Sequence, residues 1–468
     1  MNLIIDVVDK AMSTVYDKVK SRINSLIREW ESAYVDRTRR SKELYERARN
    51  LMPAGVTYSI RYMRPYPLYI DRAEGTRAWD VDSNEYIDLW MGHGAHVLGH
   101  SPKVVKEAVI DLLSNKPGSW HLGYENPYAI LWAELISKVT GMDMVRHCIS
   151  GTEANMYALR LARAFTRRKY VVKVEGGWHG GLDQLHIAVN NFRGVESAGL
   201  PEEFTKYTIV VPYNDLNEAE AALKRYPVAA ILIEPVTGVG GCLPAERDYL
   251  KGLRELAYQY GSLLILDEVI TGFRLAPGGA QEFFKVKGDL VVYGKAVGGG
   301  FPGSGAVAGI AEIMELYDHI KYPDPSMRAF HGGTFTGNPI NMIAGYALIK
   351  YLSEHRELYD QANNLWEGVR RDIDKVCEEN DRICWVVGVG NMSGIHFTRV
   401  RPRNVREVYE LRWSEEVVYA HHLFMRLKGI LYMSERNIHF LPSLIHKEDE
   451  AKSLLSSFTE FLSMITRG

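Results

Sequence analysis

The sequence predicts an α/β protein, with a mostly parallel central sheet in a large domain and a smaller α+β domain built from both chain ends. Three observations predict it. Between about residues 145 and 310, apolar β-type runs alternate with helical patterns, the signature of a sheet covered on both faces. The stretch from about 40 to 89 alternates instead like antiparallel strands, and the segment after about 346 mixes helices with short strands. A chain of 468 residues, 46% hydrophobic, can bury one large core and a second smaller one.

Taken in order, residues 1–40 form an N-terminal helical extension. Val8, Met12, Val15, Val19, Ile23 and Ile27 recur at three or four, the stripe of an amphipathic helix, which fits packing on its own subunit or a partner better than a membrane surface. An acidic residue at position 6 and the absence of a long apolar run argue against an export signal. Residues 41–89 start the small domain, where "LYIDRAEGTRAWDVDSNEYIDL" turns at Glu74-Gly75 and at Asp82-Ser83-Asn84. The large domain, 90–345, carries "MVRHCIS", a helix from Glu153 to Thr166, "YVVKVE", "VAAILIEPV", a helix from Tyr249 to Tyr260, "SLLILDEV" and "DLVVYG". Residues 346–468, with "CWVVGVG" and "SGIHFT", complete the small domain. No internal repeat or low-complexity segment interrupts this order.

Charge excludes some functions. With 56 basic against 58 acidic residues, no field gathers phosphate backbone or anionic lipid, so neither nucleic acid nor membrane is an expected partner. The four cysteines, Cys148, Cys242, Cys377 and Cys384, include no C-x-x-C pair, and a reducing, cytoplasmic setting is expected. His93, His96 and His100 lie in glycine-rich surroundings without acidic or cysteine partners; they read as a loop beside the active site, and no metal is expected.

The chemistry gathers at strand ends. Ligands of open parallel sheets bind beyond the carboxyl ends of the strands, where Ser150, Glu175, Glu234, Asp267 and Lys295 all fall. Ser150-Gly151-Thr152 stands between a strand and a helix, and reads as a phosphate cradle or as a plain helix cap. The buried run "LLIL" ends in Asp267, a carboxylate too costly to bury without a cation. Lys295 lies 28 residues further on, at the end of another apolar strand, where partial desolvation makes its amine a nucleophile toward an aldehyde; in isolation it would read as a loop lysine. Gly298 to Gly303 formally match G-x-G-x-x-G, but Pro302 opposes a helix start there. Trp178, just past a strand with His179 beside it, is placed to stack on a ring or to pack in the core. A phosphate cradle, a lysine and a strand-end carboxylate together describe a site for pyridoxal 5'-phosphate, with Asp267 pairing the ring's pyridinium nitrogen.

These residues resemble the class III, fold type I aminotransferases dependent on pyridoxal phosphate, and within them the glutamate-1-semialdehyde aminomutase-like branch. "SGTEA" at 150–154, "DEVITGFR" at 267–274, "GKAVGGGFP" at 294–302 and "HGGTFTGNP" at 331–339 carry the resemblance, which runs from about residue 42 to the end. It implies that Lys295 is the Schiff-base lysine, that Gly151 and Thr152 bind phosphate, and that Val269 lies against the ring face opposite Trp178. It further implies a homodimer in which Thr334 reaches the phosphate of the other subunit. Most relatives in this branch carry Tyr where Trp178 stands. Arg61, in "GVTYSIRYMRP", matches the position at which the branch often holds a substrate carboxylate, and "NNFRGVESAGLPEEF" resembles a mobile lid. "YMSERNIHFLPS" lacks a clear match to the glutamate that aminomutases place near the substrate amine, while "MGHGAHVLGH" and "MSGIHF" resemble D-phenylglycine and β-amino-acid aminotransferases. The expected activity is ping-pong transamination between an amino acid or amine donor and a keto acid; the alternative is intramolecular transfer by an aminomutase.

Overall fold

A computed structural model describes residues 2–115, 120–192, 194–432 and 436–466, with side chains from residue 19 onward. Among the described residues, fourteen strands follow in chain order: β1 (Ile70–Glu74), β2 (Arg77–Asp80), β3 (Glu85–Asp88), β4 (Met144–Cys148), β5 (Tyr170–Val174), β6 (Thr208–Val211), β7 (Val228–Ile233), β8 (Leu263–Glu268), β9 (Leu290–Gly294), β10 (Gly305–Gly309), β11 (Trp385–Val389), β12 (Met392–His396), β13 (Ile430–Leu431) and β14 (Ile438–Phe440).

The large sheet has the order β4-β10-β9-β8-β7-β5-β6 and is parallel except for β10. Every residue of β7, β8 and β9 is buried, as expected of strands covered by helices on both faces. Strand β10, "GAVAG", reads in sequence as part of a glycine-rich loop; it pairs antiparallel with β9 and β4, its small side chains fitting between two neighbours. The helix Gly151–Thr166 packs Ala154, Tyr157, Ala158, Leu161 and Ala162 onto one face of this sheet.

A second core draws on both chain ends. Val19, Ile23, Trp30 and Tyr34 of the helix Asn2–Arg37 pack with Phe424 of the helix Glu415–Leu427 and Phe461 of the helix Glu448–Thr466. The Trp30 ring lies 4.9 Å from that of Phe424. The stripe residues Val8, Met12 and Val15 lie outside the described side chains. The short β13 pairs in parallel with β3, tying residues 430–431 to residues 87–88.

Cys377 and Cys384 are joined by a disulfide. The expectation of four cysteines kept reduced does not hold at this pair. Asp381 and Arg382, with φ of 57° and 53°, reverse the chain between them and bring their Cα atoms to 5.6 Å. Cys148 and Cys242 are free and buried. Among the described residues, no helix is long and apolar enough to cross a membrane.

Several histidines are enclosed without a net charge to offset. Burial pushes His147, His396 and His421 from 6.5 down to about 3, and His439 to about 4. The unfolded chain therefore binds protons near pH 6.5 that the folded chain refuses until pH 3–4. Their contribution to stability is intact above pH 6.5 and is lost as pH falls toward about 4. The thermal midpoint followed by circular dichroism is expected to drop steadily across that window; a flat profile would contradict it.

Candidate active site

Five strands of the large sheet lead into one place, but Glu175, the polar end of β5, pairs instead with Arg406 at 2.8 Å and lines neither of the two cavities there. The helix Gly151–Thr166 follows β4, with Ser150 as its N-cap: Ser150 Oγ accepts from Glu153 N–H at 3.2 Å, and Glu153 Oε2 accepts from Ile149 N–H at 3.1 Å. Ser150 thus spends its hydroxyl on the helix. The N–H groups of Gly151 and Thr152 have no intrahelical acceptor and remain as donors for an anion. A Cβ on Gly151 would lie 2.7 Å from Val269 Cγ2, so only glycine lets the cradle approach the wall that Val269 forms. Gly180, at φ +83°, likewise clears Thr152, whose Oγ1 an added Cβ would meet at 2.0 Å.

Asp267 is 3% exposed near the end of β8. Its Oδ1 accepts from Val269 N–H at 3.0 Å, while Oδ2 accepts from His179 Nδ1 at 2.7 Å and from Asn155 Nδ2 at 2.8 Å. Burial lowers the His179 pKa despite the neighbouring carboxylate, so a neutral ring donates through Nδ1. His179 Nε2 and Asn155 Oδ1 are buried without a hydrogen-bond partner. The side chain of His179 is fully enclosed behind Asp267, so it touches Asp267 rather than the open cleft. Glu268 points the other way and caps the helix Gly279–Phe284 through Ala280 N–H and Gln281 N–H. The two adjacent carboxylates thus divide, one to the site and one to a helix start.

Lys295 follows β9 with φ of 52°, a left-handed conformation costing about 1–2 kcal/mol for a residue with a side chain. Its amine is pushed from 10.5 down to about 8, chiefly by burial and against the pull of Asp267 and Glu234. Glu234, after β7, is pushed up to about 8 by burial and by Asp267. Its carboxylate accepts from Trp178 N–H at 2.6 Å and Gly238 N–H at 2.9 Å, so it fixes the backbone that carries the indole.

Lys295, Gly151, Val269, His93 and Arg61 share a cavity of about 840 Å³. Trp178 lines a neighbouring chamber of about 450 Å³ with Tyr58, Glu196, Tyr409, Asn437 and His439. The segment 58–61 walls both. Thr334 is exposed on the loop before the helix Pro339–Glu354 and lines neither cavity. His93 has φ of 59° and is pushed to about 4, by burial first and then by the charges of Lys295 and Arg61. His100 bonds Asp88 at 2.7 Å, and among the described residues no cluster is built to hold a metal ion.

The residues present fit pyridoxal phosphate. Two helix N–H groups could donate to an anion, a buried carboxylate held by three donors could pair a cation, and a lysine whose amine is partly neutral shares the cavity of Gly151. Sequence reasoning missed Asn155, Val269's backbone bond and Glu196, which gathers the N–H groups of Val189, Asn190 and Asn191 at 2.7–3.0 Å. Asn155 left one signal: an amide on the helix turn next to the apolar stripe, with no capping position to justify it.

The family described as aminotransferase class-III matches residues 58–462. The chain is 37% identical over 430 residues to the glutamate-1-semialdehyde 2,1-aminomutase of Archaeoglobus fulgidus, covering 90% of this chain and 99% of that one. It is 38% identical over 445 residues to the enzyme of the same name from Methanothrix thermoacetophila, covering 93% and 100%. Among solved structures it resembles an omega-transaminase from Sphaerobacter thermophilus, with TM-score 0.83 and 31% identity over 92% of this chain and 98% of that one.

Proposed function

We propose the following from one premise, that the chain belongs to the class III aminotransferase family: it is a pyridoxal 5'-phosphate enzyme that shifts an amino group within a single carboxylate-bearing substrate, as a glutamate-1-semialdehyde 2,1-aminomutase does. The observation that carries this reading is the match to aminomutases across at least nine-tenths of both chains. The sequence alone favoured transfer between two molecules; the relatives favour the alternative.

The bound cofactor supplies an electron sink that makes a proton next to the amine labile. The chain's own residues do the rest. Gly151 and Thr152 would hold the phosphate, Asp267 would pair the ring cation, and Trp178 and Val269 would pack against the ring. His179 and Asn155 act through Asp267, fixing its Oδ2. Lys295 would hold the cofactor covalently, would give way to the substrate amine, and would then carry a proton on Nζ between the substrate carbon bearing that nitrogen and the cofactor carbon on its other side, once in each direction, so that the amino group leaves one substrate carbon and arrives at its neighbour. An amine near 8 is suited to both giving and taking that proton. Arg61, on the wall of the same cavity, anchors the carboxylate. Two subunits pair so that Thr334, exposed on each, completes the phosphate site of the other.

One observation favours transfer between two molecules as a second reading. The stretch 432–443, "YMSERNIHFLPS", gives no clear match to the glutamate that aminomutases place near the substrate amine; its Glu435 lies outside the described residues. The two readings separate with purified holoenzyme. Glutamate 1-semialdehyde alone should be isomerised with no added acceptor; an inert semialdehyde, with conversion of a simple donor reversed by a keto acid, would establish the transaminase instead. In either case Arg61→Ala should lower kcat/KM for carboxylate substrates by about ten- to hundredfold, mostly through KM. An unchanged KM would remove Arg61 from substrate binding.

A further inference from the structure

The loop that carries Thr334 leaves the body of the subunit but is fastened at both ends. At its start, Tyr157 Oη donates to Gly332 O at 2.6 Å, and the His331 ring lies 4.4 Å from the ring of Tyr157. At its end, Gly337 is held on both backbone atoms. Its N–H donates to His147 Nδ1 at 3.0 Å, and its carbonyl accepts from Asn126 Nδ2 at 2.7 Å. Between these points Gly333, Thr334 and Phe335 are exposed, Phe335 by 54%.

Both holding side chains are themselves fixed. His147, on β4, is 4% exposed, and the Trp132 ring meets it edge-on at 5.6 Å. With Nδ1 accepting, the proton of the neutral ring is on Nε2, which faces Ser304 Oγ at 3.3 Å. Asn126 caps the helix Pro127–Thr140 through Oδ1, which accepts from Ala129 N–H at 3.1 Å, and this aims its amide N–H at Gly337. A segment containing Gly332, Gly333 and Gly337 loses more freedom on ordering than any other composition would, so its shape must be imposed from outside.

We infer that His147 and Asn126 are positioning residues for Thr334, presetting an outward loop so that Thr334 meets the phosphate held in the partner subunit. The inference rests on the two-subunit reading above. It assigns His147 no contact with the cofactor of its own subunit: the effect passes through Gly337 and across the interface.

Differently tagged chains, co-expressed and purified as mixed dimers, test both parts. The readout is the dissociation constant of pyridoxal phosphate at the lysine-bearing site, titrated into the apoprotein by visible absorbance. In the first dimer, one chain carries Lys295→Ala and the other His147→Phe, so the remaining Lys295 site receives an intact loop; its affinity should equal that of a dimer carrying Lys295→Ala alone. In the second dimer, one chain carries both substitutions and the other is native, so the Lys295 site receives the altered loop and should bind about tenfold more weakly. His147→Asn, whose Oδ1 takes the place of the accepting Nδ1, should restore most of the loss. Weakening in the first dimer rather than the second overturns the two-subunit reading and the inference with it, as does failure to recover any dimer. Should Thr334→Ala weaken only the second arrangement while His147→Phe changes neither, the two-subunit reading stands and the positioning role of His147 falls.

Discussion

Lys295→Ala is expected to lower amino transfer by at least about ten-thousandfold, because in the role proposed for Lys295 the substitution would remove the covalent hold on the cofactor and the proton carrier together. The visible absorbance of the lysine-held cofactor should vanish while added cofactor still binds, since the phosphate cradle and Asp267 are untouched. Retained turnover would sink the assignment of Lys295. The backbone supplies a second readout. Position 295 sits at φ 52°, so Lys295→Gly relieves a conformation that Lys295→Ala keeps. The glycine variant should therefore unfold at a higher temperature than the alanine variant, by the equivalent of about 1 kcal/mol, although both are inactive. Equal midpoints would mean that the left-handed turn is unstrained.

Asp267→Asn should lower kcat by about a hundredfold or more, the loss seen when one preorganised electrostatic partner is removed from a site. The visible absorbance of the lysine-held cofactor should persist, which separates this variant from Lys295→Ala. Three donors converge on the carboxylate, from Val269, His179 and Asn155. An amide offers one acceptor oxygen in place of two, so at least one buried donor loses its partner, at about 1–3 kcal/mol. The apoprotein should accordingly be less stable than wild type. An unchanged kcat would remove Asp267 from its proposed place opposite the ring cation.

The fold class was legible because strands buried on both faces leave an unbroken apolar run: "VAAILI", "LLIL" and "LVVYG" are apolar throughout because nothing in β7, β8 or β9 meets water until the chain reaches the site. Strand β10 was not legible, since Gly305 and Gly309 are selected by close neighbours and not by any preference for extended chain. A carboxylate ending such a run, and a lysine ending another, announce a site because each is costly where it stands. The supports of those residues announce nothing. Asn155 is separated from Asp267 by 112 residues, and no periodicity links an amide on a helix to a carboxylate on a distant strand. Glu234 was read from its strand end, but that its partner would be the N–H of Trp178 depends on the path of a loop. The bridge between Cys377 and Cys384 was equally hidden, because its geometry lies in two left-handed residues that any loop sequence could contain.

The second core, shared between the two chain ends, also dictates a timetable. As the polypeptide leaves the ribosome, Trp30 emerges hundreds of residues before Phe424 and Phe461, the rings it packs against. At about 5–20 residues per second the apolar face of the first helix waits for roughly 20–80 s without its natural cover. The large sheet, contiguous between residues 144 and 309, can close during that interval. The newborn chain thus passes through a stage with a finished catalytic half and an open hydrophobic arm, and a stop codon shortly before Glu448 would leave it there, since the last helix of the core would never arrive.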